Sequence, residues 1–373
     1  MIKSSFGVGR NKDDAKKCVE EAVGKFKNPK LILFFSGEKN FCEYAEIIHD
    51  MFPNSISLGC SVYRTWNSWG TDKDLLSVVA VEEGIICSAG VIEKADSFAL
   101  SYADIVKDCM DEVKNTENTV CIEFTVPYKY AEEYAIMTLS SVLLKDEIPV
   151  IGGTAANTCA DTTVSDDAYV ALNGKIYNDG CVFAIIHSIN GRVLLYRENI
   201  YEPLTGTEFT VTKANNVTRT IITCDNIPAA HIYARELNIP TEEISHRFFH
   251  YPMGQCVGND TYVTAVQSEG THGSLKCHAR VHESTKMMVM KEGDYKSITR
   301  RTIEDVKKDL SNPSLVLMFH CVARTILFED NGYLNEYQKL LSDAVRNFTG
   351  LACLGEQLGT KNFNHTMMLA VFE

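Results

Sequence analysis

The chain opens with apolar residues at helical spacing: Ala15, Val19, Ala22, Val23 and Phe26 put one apolar face on a helix. Asn28-Pro29 stops it, because proline disfavours the helical conformation of the residue before it. Leu31 to Phe35 is an unbroken apolar run and predicts a buried strand. Phe41, Tyr44, Ile47, Ile48 and Met51 predict a second helix, and Ile56 to Ser61 a short strand running into a turn at Gly59-Cys60-Ser61. Leu75 to Val81 and Ile85 to Ile92 predict the two strands of a hairpin around Glu82-Glu83-Gly84.

The same order then recurs. A helix through Ala103, Val106, Cys109, Met110 and Val113 precedes a strand from Thr119 to Phe124. A helix through Ala131, Tyr134, Ala135, Thr138 and Val142 precedes Pro149 to Thr154, a strand turning at Gly152-Gly153-Thr154. Asn173-Gly174 and Asn190-Gly191 predict hairpins, since Asn-Gly favours the positive φ angles of a type I′ turn. The third copy has a helix through Ile298, Ile303, Val306 and Leu310, closed by Asn312-Pro313. Its strand is Leu315 to Phe319, and its second helix carries Leu334, Tyr337, Leu341, Ala344 and Phe348. Leu351 to Glu356 predicts a strand turning at Gly355-Glu356, and Thr366 to Phe372 the last strand.

Residues 205–291 break this rhythm and read as rich in β-structure, with strands at Glu208 to Lys213, Thr218 to Thr223, Tyr262 to Gln267 and Met287 to Met290. One helix is predicted from Pro228 to Leu237, with Asp225 or Asn226 near its cap. The predicted fold is a mixed α+β or α/β one: helices layered on mixed β-sheets, three similar helix–strand–helix–strand units, and a β-rich insert. The main boundary is placed near Glu202-Pro203, giving 1–203 with two units and 204–373 with the insert and the third.

Charge narrows the partners. Lys plus Arg number 36 and Asp plus Glu 49, a balance of −13. Nucleic acid and anionic membranes select a basic face, so neither is an expected partner. No apolar run approaches the roughly 20 residues that a spanning helix needs, and the N-terminus has no signal-peptide core, so no direct membrane insertion is expected. The 13 cysteines are scattered singly with no CxxC. Many sit in apolar runs, where a free thiol behaves as a small hydrophobe; this predicts a reducing, cytoplasmic setting.

Catalytic signatures are absent: there is no GxSxG elbow, phosphate loop, HExxH or GxGxxG. The expectation is a non-enzyme, with Cys60 as the nucleophile of an alternative, thiol-dependent enzyme. The three strand–Gly turns, Gly59-Cys60-Ser61, Gly152-Gly153-Thr154 and Gly355-Glu356, are candidate ligand contacts, because α/β ligands gather at strand ends. Arg324, just past a buried strand, is placed to clamp a carboxylate. It and Glu356 are expected either to pair or to hold the two ends of an amino-acid-like ligand. His246 and His250, and His278 and His282, are four apart, but in strand-like or irregular context, which does not gather metal ligands.

Several short motifs then stand in a recognisable order. They are Leu58-Gly59-Cys60-Ser61, Ile151-Gly152-Gly153-Thr154, Leu172-Asn173-Gly174 and Asp179-Gly180-Cys181-Val182 in the first half. In the second are Tyr251-Pro252-Met253-Gly254, Phe319-His320-Cys321-Val322-Ala323-Arg324, Gly355-Glu356 and Asn364-His365-Thr366. Over essentially its whole length the chain resembles the FIST family, the F-box and intracellular signal transduction proteins, in both modules. The resemblance implies a stand-alone sensor in bacterial signalling. Such a sensor binds a small molecule, an amino acid or small carboxylate, and signals to a chemotaxis receptor, a histidine kinase or a cyclic-dinucleotide enzyme. Carried onto this chain, it adds Tyr251, Cys321, Asn364 and His365 to the ligand-binding candidates. One branch is a haem-binding nitric-oxide sensor, which makes haem the alternative cofactor, with His250 and His365 as candidate ligands. No other cofactor is expected. The chain departs from the pattern where Thr261 to Val266 lacks an expected Arg and where Glu329-Asp330 lengthens the third unit.

Overall fold

A computed structural model describes residues 2–127, 129, 131–159, 167–258 and 260–373. Its architecture is mixed, with helices layered on mixed sheets as the periodicity predicts. The first unit runs Lys3–Gly9, helix Ala15–Val23, strand Leu31–Ser36, helix Phe41–Met51, strand Ile56–Ser61, the hairpin Arg64–Asn67/Gly70–Asp72, and strand Leu76–Glu83. The second repeats this order as Ile85–Ile92, Ala103–Val113, Thr119–Thr125, Ala131–Leu143, Val150–Thr154, the hairpin Val170–Leu172/Lys175–Tyr177, and Cys181–Ser188. The third begins at Val193–Asn199 and resumes at helix Tyr295–Asp309, strand Leu315–Cys321, helices Val322–Asp330 and Leu334–Ala344, and strand Phe348–Cys353. It closes with the hairpin Glu356–Leu358/Lys361–Phe363 and strand Thr366–Phe372. The β-rich insert interrupts it after its first strand.

Within each unit two strands pair in parallel, and the closing strand runs antiparallel beside the first of them. The hairpin does not stay at home. That of the first unit joins the third sheet, that of the second joins the first, and that of the third joins the second. The units are thus linked in a ring. Alternate residues of the central strands, such as Leu33 and Phe35, Ile122 and Phe124, and Leu317 and Phe319, share one buried core. Phe124 is its hub, with ring centroids 5.5 Å from Phe35 and 6.3 Å from Phe319. The opposite faces lie beneath the helices, so the unbroken apolar strands follow from burial on both sides.

Several local expectations change. Asn173-Gly174 is a two-residue hairpin turn with φ of 49° and 78°. The stretch around Glu82-Glu83-Gly84 is not a hairpin: Leu76–Glu83 pairs in the first sheet and Ile85–Ile92 with Cys181–Ser188 in the second. Asn190-Gly191 likewise links two different sheets. Both are crossings between units, where burial on the destination sheet outweighs local turn preference. Met51 is exposed rather than on the buried helix face. Asp225 and Asn226 form a strand turn, and Pro228 occupies the N-cap of helix Ala229–Leu237.

Phe348 begins a strand instead of ending a helix, so the third-unit counterpart of Gly59 and Gly152 is Gly350, not Gly355. The three glycines face Phe34, Glu123 and Met318 on the neighbouring parallel strand. They admit those neighbours: a Cβ on Gly59 would stand 2.1 Å from Phe34 Cζ. Gly59→Val is therefore expected to lose about 3 kcal/mol through overpacking, read from urea denaturation; an unchanged midpoint would refute the close fit.

The insert is an eight-stranded sheet packed on helix Ala229–Leu237. It is tied to the second unit by Arg219, buried between Glu132 at 2.7 Å and Glu133 at 2.9 Å.

Candidate functional site at the insert junction

The parallel strands Leu315–Cys321 and Phe348–Cys353 end side by side, with Cys321 opposite Cys353. The chain turns there directly into helix Val322–Asp330, for which Cys321 is the N-cap residue. The helix was not predicted. Val322, Ala323 and Ile326 meet the insert, where Phe249, Ala265, Val266, Gln267 and His278 close a cavity of about 90 Å³ over them. Cys321 and Leu354 complete it. The walls are mostly apolar, with the Cys321 thiol, the His278 ring and the Gln267 amide as polar points.

Cys321 has unusual surroundings. The backbone N–H groups of His365, Ala323 and Arg324 and the Glu356 carboxyl lie near enough to its sulfur to act on its charge. Burial, then the Glu356 charge, pushes its thiol well above the usual range. Glu356 is fully buried in turn, and burial raises its carboxyl to about 8 against the Thr366 and thiol hydrogen bonds. Thr366 donates to it through N–H at 3.1 Å and Oγ1 at 2.7 Å, and the Cys353 thiol at 3.7 Å. His365 holds a left-handed φ of 58°, uncommon for a residue with a side chain. Its Nδ1 donates to Tyr201 Oη at 3.0 Å, which donates to Phe249 O at 2.8 Å. Burial lowers its pKa to about 3, so the ring is neutral.

Arg324 lies on the other face of the helix. It is fully buried and pairs with Glu198 on the strand Val193–Asn199, not with Glu356. Its guanidinium stands over the Phe328 and Tyr337 rings, so its charge is already matched inside the protein and does not enter the cavity.

The remaining candidates are spread out. Gly152, Gly153 and Thr154 lie on the strand beside Glu356: Gly153 is its register partner, and Thr154 N donates to Gly355 O at 2.9 Å. Asn364 Oδ1 accepts from Ala265 N at 3.2 Å and so joins the third unit to the insert. Gly59, Cys60 and Ser61 belong to the first sheet; Cys60 is wholly buried, and burial pushes its thiol far up. Tyr251 and His250 line a separate open cleft with Arg247, Lys291 and Glu292. The insert wall, Phe249, Ala265 to Gln267 and His278, was missed. No local pattern marks it, because it reaches the site only through the insertion point.

Neither candidate histidine fits a haem. A ligand larger than a drug-sized molecule needs a pocket above about 300 Å³ with apolar walls. His365 does not line the cavity of about 90 Å³ at Cys321, which is itself too small for a haem. The cleft at His250 is about 390 Å³ but is walled by charged and polar groups, and His250 Nδ1 donates to Glu292 at 2.7 Å. Among the described residues no group of three or more His, Cys, Asp or Glu is placed to hold a metal ion. No described helix is long and apolar enough to cross a membrane.

No curated protein matches the chain. A solved structure titled PurLQS from Thermotoga maritima aligns over 99% of this chain and 72% of its own at 9% identity, but with a TM-score of 0.20, which carries no argument. The FIST N domain matches residues 30–226 and the FIST C domain residues 229–358. With both domains present over most of its length, the chain belongs to the FIST family of signal-transduction sensory domains.

Proposed function

We propose that the chain senses a small, mainly apolar molecule bound in the cavity between the third unit and the insert, and signals through a protein partner. The observation that carries this is the enclosed cavity at the C-terminal ends of a parallel strand pair, where α/β folds hold ligands. The ligand would contact both the body and the insert, and so bias how the two pack. The helix Val322–Asp330 offers a route outward: Glu329 at its far end binds Arg64 at 2.5 Å and Tyr63 at 3.1 Å, next to the hairpin exchanged from the first unit. A chemotaxis receptor, histidine kinase or cyclic-dinucleotide enzyme is the partner class that this family suggests. Cys60, buried in the common core, lends no support to thiol catalysis there.

The test is a thermal-shift screen of small uncharged molecules against the wild type and Ala323→Leu, which fills the cavity. Hits are expected to lose at least about tenfold in affinity in the variant, about 1.4 kcal/mol. Hits that bind both proteins equally would place the ligand elsewhere.

A second reading keeps the amino-acid-like ligand but moves it. An open cleft of about 310 Å³ between the insert and the second unit carries Arg280 and Lys361 together with Glu133. Lys361 Nζ stands 3.9 Å over the Tyr262 ring. Glu133 is held by Arg219 and Arg280 at 2.9 and 2.8 Å, so Lys361 is the charge that this cleft offers to a ligand carboxylate. Equilibrium dialysis with amino acids and short carboxylates tests this; Lys361→Ala is expected to weaken binding about tenfold or more, and unchanged binding would reject the cleft.

A further inference from the structure

We propose that the outer edge of strand Ile85–Ile92 takes up, as an added strand, an extended segment of a partner protein in which apolar and basic residues alternate. This rests on the reading that the chain signals through a protein partner, and not on the cavity.

The strand closes one side of the second sheet. All eight of its residues pair with Cys181–Ser188, and among the described residues no strand pairs on its other side. An open edge is a row of free N–H and C=O groups, which proteins blunt with charge, proline or a break in register. The first strands of the other two units are blunted in this way. Lys3–Gly9 carries Lys3 beside a shift in register. Val193–Asn199 carries Arg197 and Glu198, and Arg197 is bound to Asp260 of the insert at 2.6 Å. Ile85–Ile92 has no charged residue, no proline and no shift in register. It is also within reach of solvent: Ile86 is 38% exposed, and Cys87, Ala89 and Val91 are half-buried.

The two faces of this edge select different side chains. Cys87, Ala89 and Val91 pack toward the common core, so an added strand meets them with apolar residues. Helix Ala103–Val113 lies along the opposite face. Its residues Ile105, Asp108 and Glu112 share one side by their spacing, and all three are exposed. Contacts at both ends place that side along the strand. A Cβ on Gly90 would stand 2.8 Å from Ile105 Cγ2, and Ser88 Oγ donates to Glu112 Oε2 at 2.6 Å. Lys107, on the same helix, is taken by Asp104 at 2.9 Å. Asp108 and Glu112 thus stand beside the open strand free to meet a cation from outside. Side chains of a strand alternate between its faces, so the segment that fits alternates apolar residues with lysine or arginine. A second copy of this chain fits poorly: pairing two of these edges with matching faces would bring their acidic stripes together.

The probe is a fluorescent peptide of about eight residues alternating lysine and valine, a length that matches the strand. Its binding to the full chain is read by anisotropy, and the site by hydrogen–deuterium exchange. The peptide is expected to slow amide exchange in Ile85–Ile92. A peptide of the same composition with its lysines and valines in two blocks is expected to bind at least about tenfold more weakly. Asp108→Lys combined with Glu112→Gln is expected to weaken the alternating peptide by at least about tenfold. Equal binding of the two peptides, no slowing in Ile85–Ile92, or an unchanged affinity in the variant overturns the proposal. So does slowing of these amides without peptide that grows with protein concentration alongside a dimer mass, since a second copy then covers the edge. If the peptide fails to bind while thermal-shift hits still distinguish the wild type from Ala323→Leu, the edge proposal falls and the cavity reading stands.

Discussion

Arg324→Ala is expected to lower the unfolding free energy by about 3–5 kcal/mol, because it leaves the Glu198 carboxylate buried and unpaired. Both side chains are essentially sealed from water, at 0% and 1% exposure. Glu198 comes from the strand before the insert and Arg324 from the helix that floors the cavity, so the pair also pins that helix to the edge of the third sheet. Replacing both, as Arg324→Leu with Glu198→Leu, is expected to recover most of the loss, since a buried ion pair is weak evidence of net stabilisation. Urea denaturation of the two single variants and the double variant measures this as a cycle. A single-variant loss below about 1 kcal/mol would mean that the pair is hydrated.

The second large effect is on pH dependence, where two sets of buried groups oppose each other. Burial raises Glu123 to about 7 and Glu356 to about 8 from 4.5. Each keeps its proton in the folded chain at pH values where the unfolded chain has lost it, so each subtracts stability as pH rises from about 4.5 to its folded value. The loss is on the order of 3–5 kcal/mol per group. Burial lowers His278 to about 4 and His365 to about 3 from 6.5, and lowers His320 further. These bind protons more readily when unfolded, so they subtract stability as pH falls below about 6.5. Stability should therefore peak near pH 6.5 and decline on both sides, measured by urea denaturation across pH 4.5 to 9. Glu123→Gln is expected to steepen the acid limb, because Glu123 opposes the histidines between about pH 4.5 and 7, and to leave the decline from about pH 7 to 8, which belongs to Glu356, in place. An acid limb of unchanged slope in that variant would contradict the raised Glu123 carboxyl.

The elements were legible because each central strand is apolar on both faces and each helix has one apolar side. The three units followed from that alternation. What the pattern did not carry was the exchange of hairpins around the ring. Arg64–Asn67 looks the same whether it pairs with its own unit or with Phe348–Cys353, since both partners offer a buried edge. The same blindness produced the two false hairpins and put Gly355 where Gly350 belongs: a glycine at a strand end is easy to see, but one facing Met318 across a sheet is not. The resemblance motifs brought Cys321, Glu356, Asn364 and His365 close to one junction. Arg324 belonged to the same motif but turns inward to Glu198, because helix Val322–Asp330 presents Arg324 and Ala323 to different sides. The other wall comes from residues far away in sequence, which only the position of the insert brings there.

The central claim is that an accessible apolar cavity lies between the insert and the helix after Cys321. Xenon-pressurised crystals test it most directly, since a dry apolar cavity takes up xenon. The expected result is a xenon atom among Val266, Val322, Ala323, Ile326 and Leu354, lost in Ala323→Leu. Xenon bound only elsewhere, or ordered water filling that space, would contradict it.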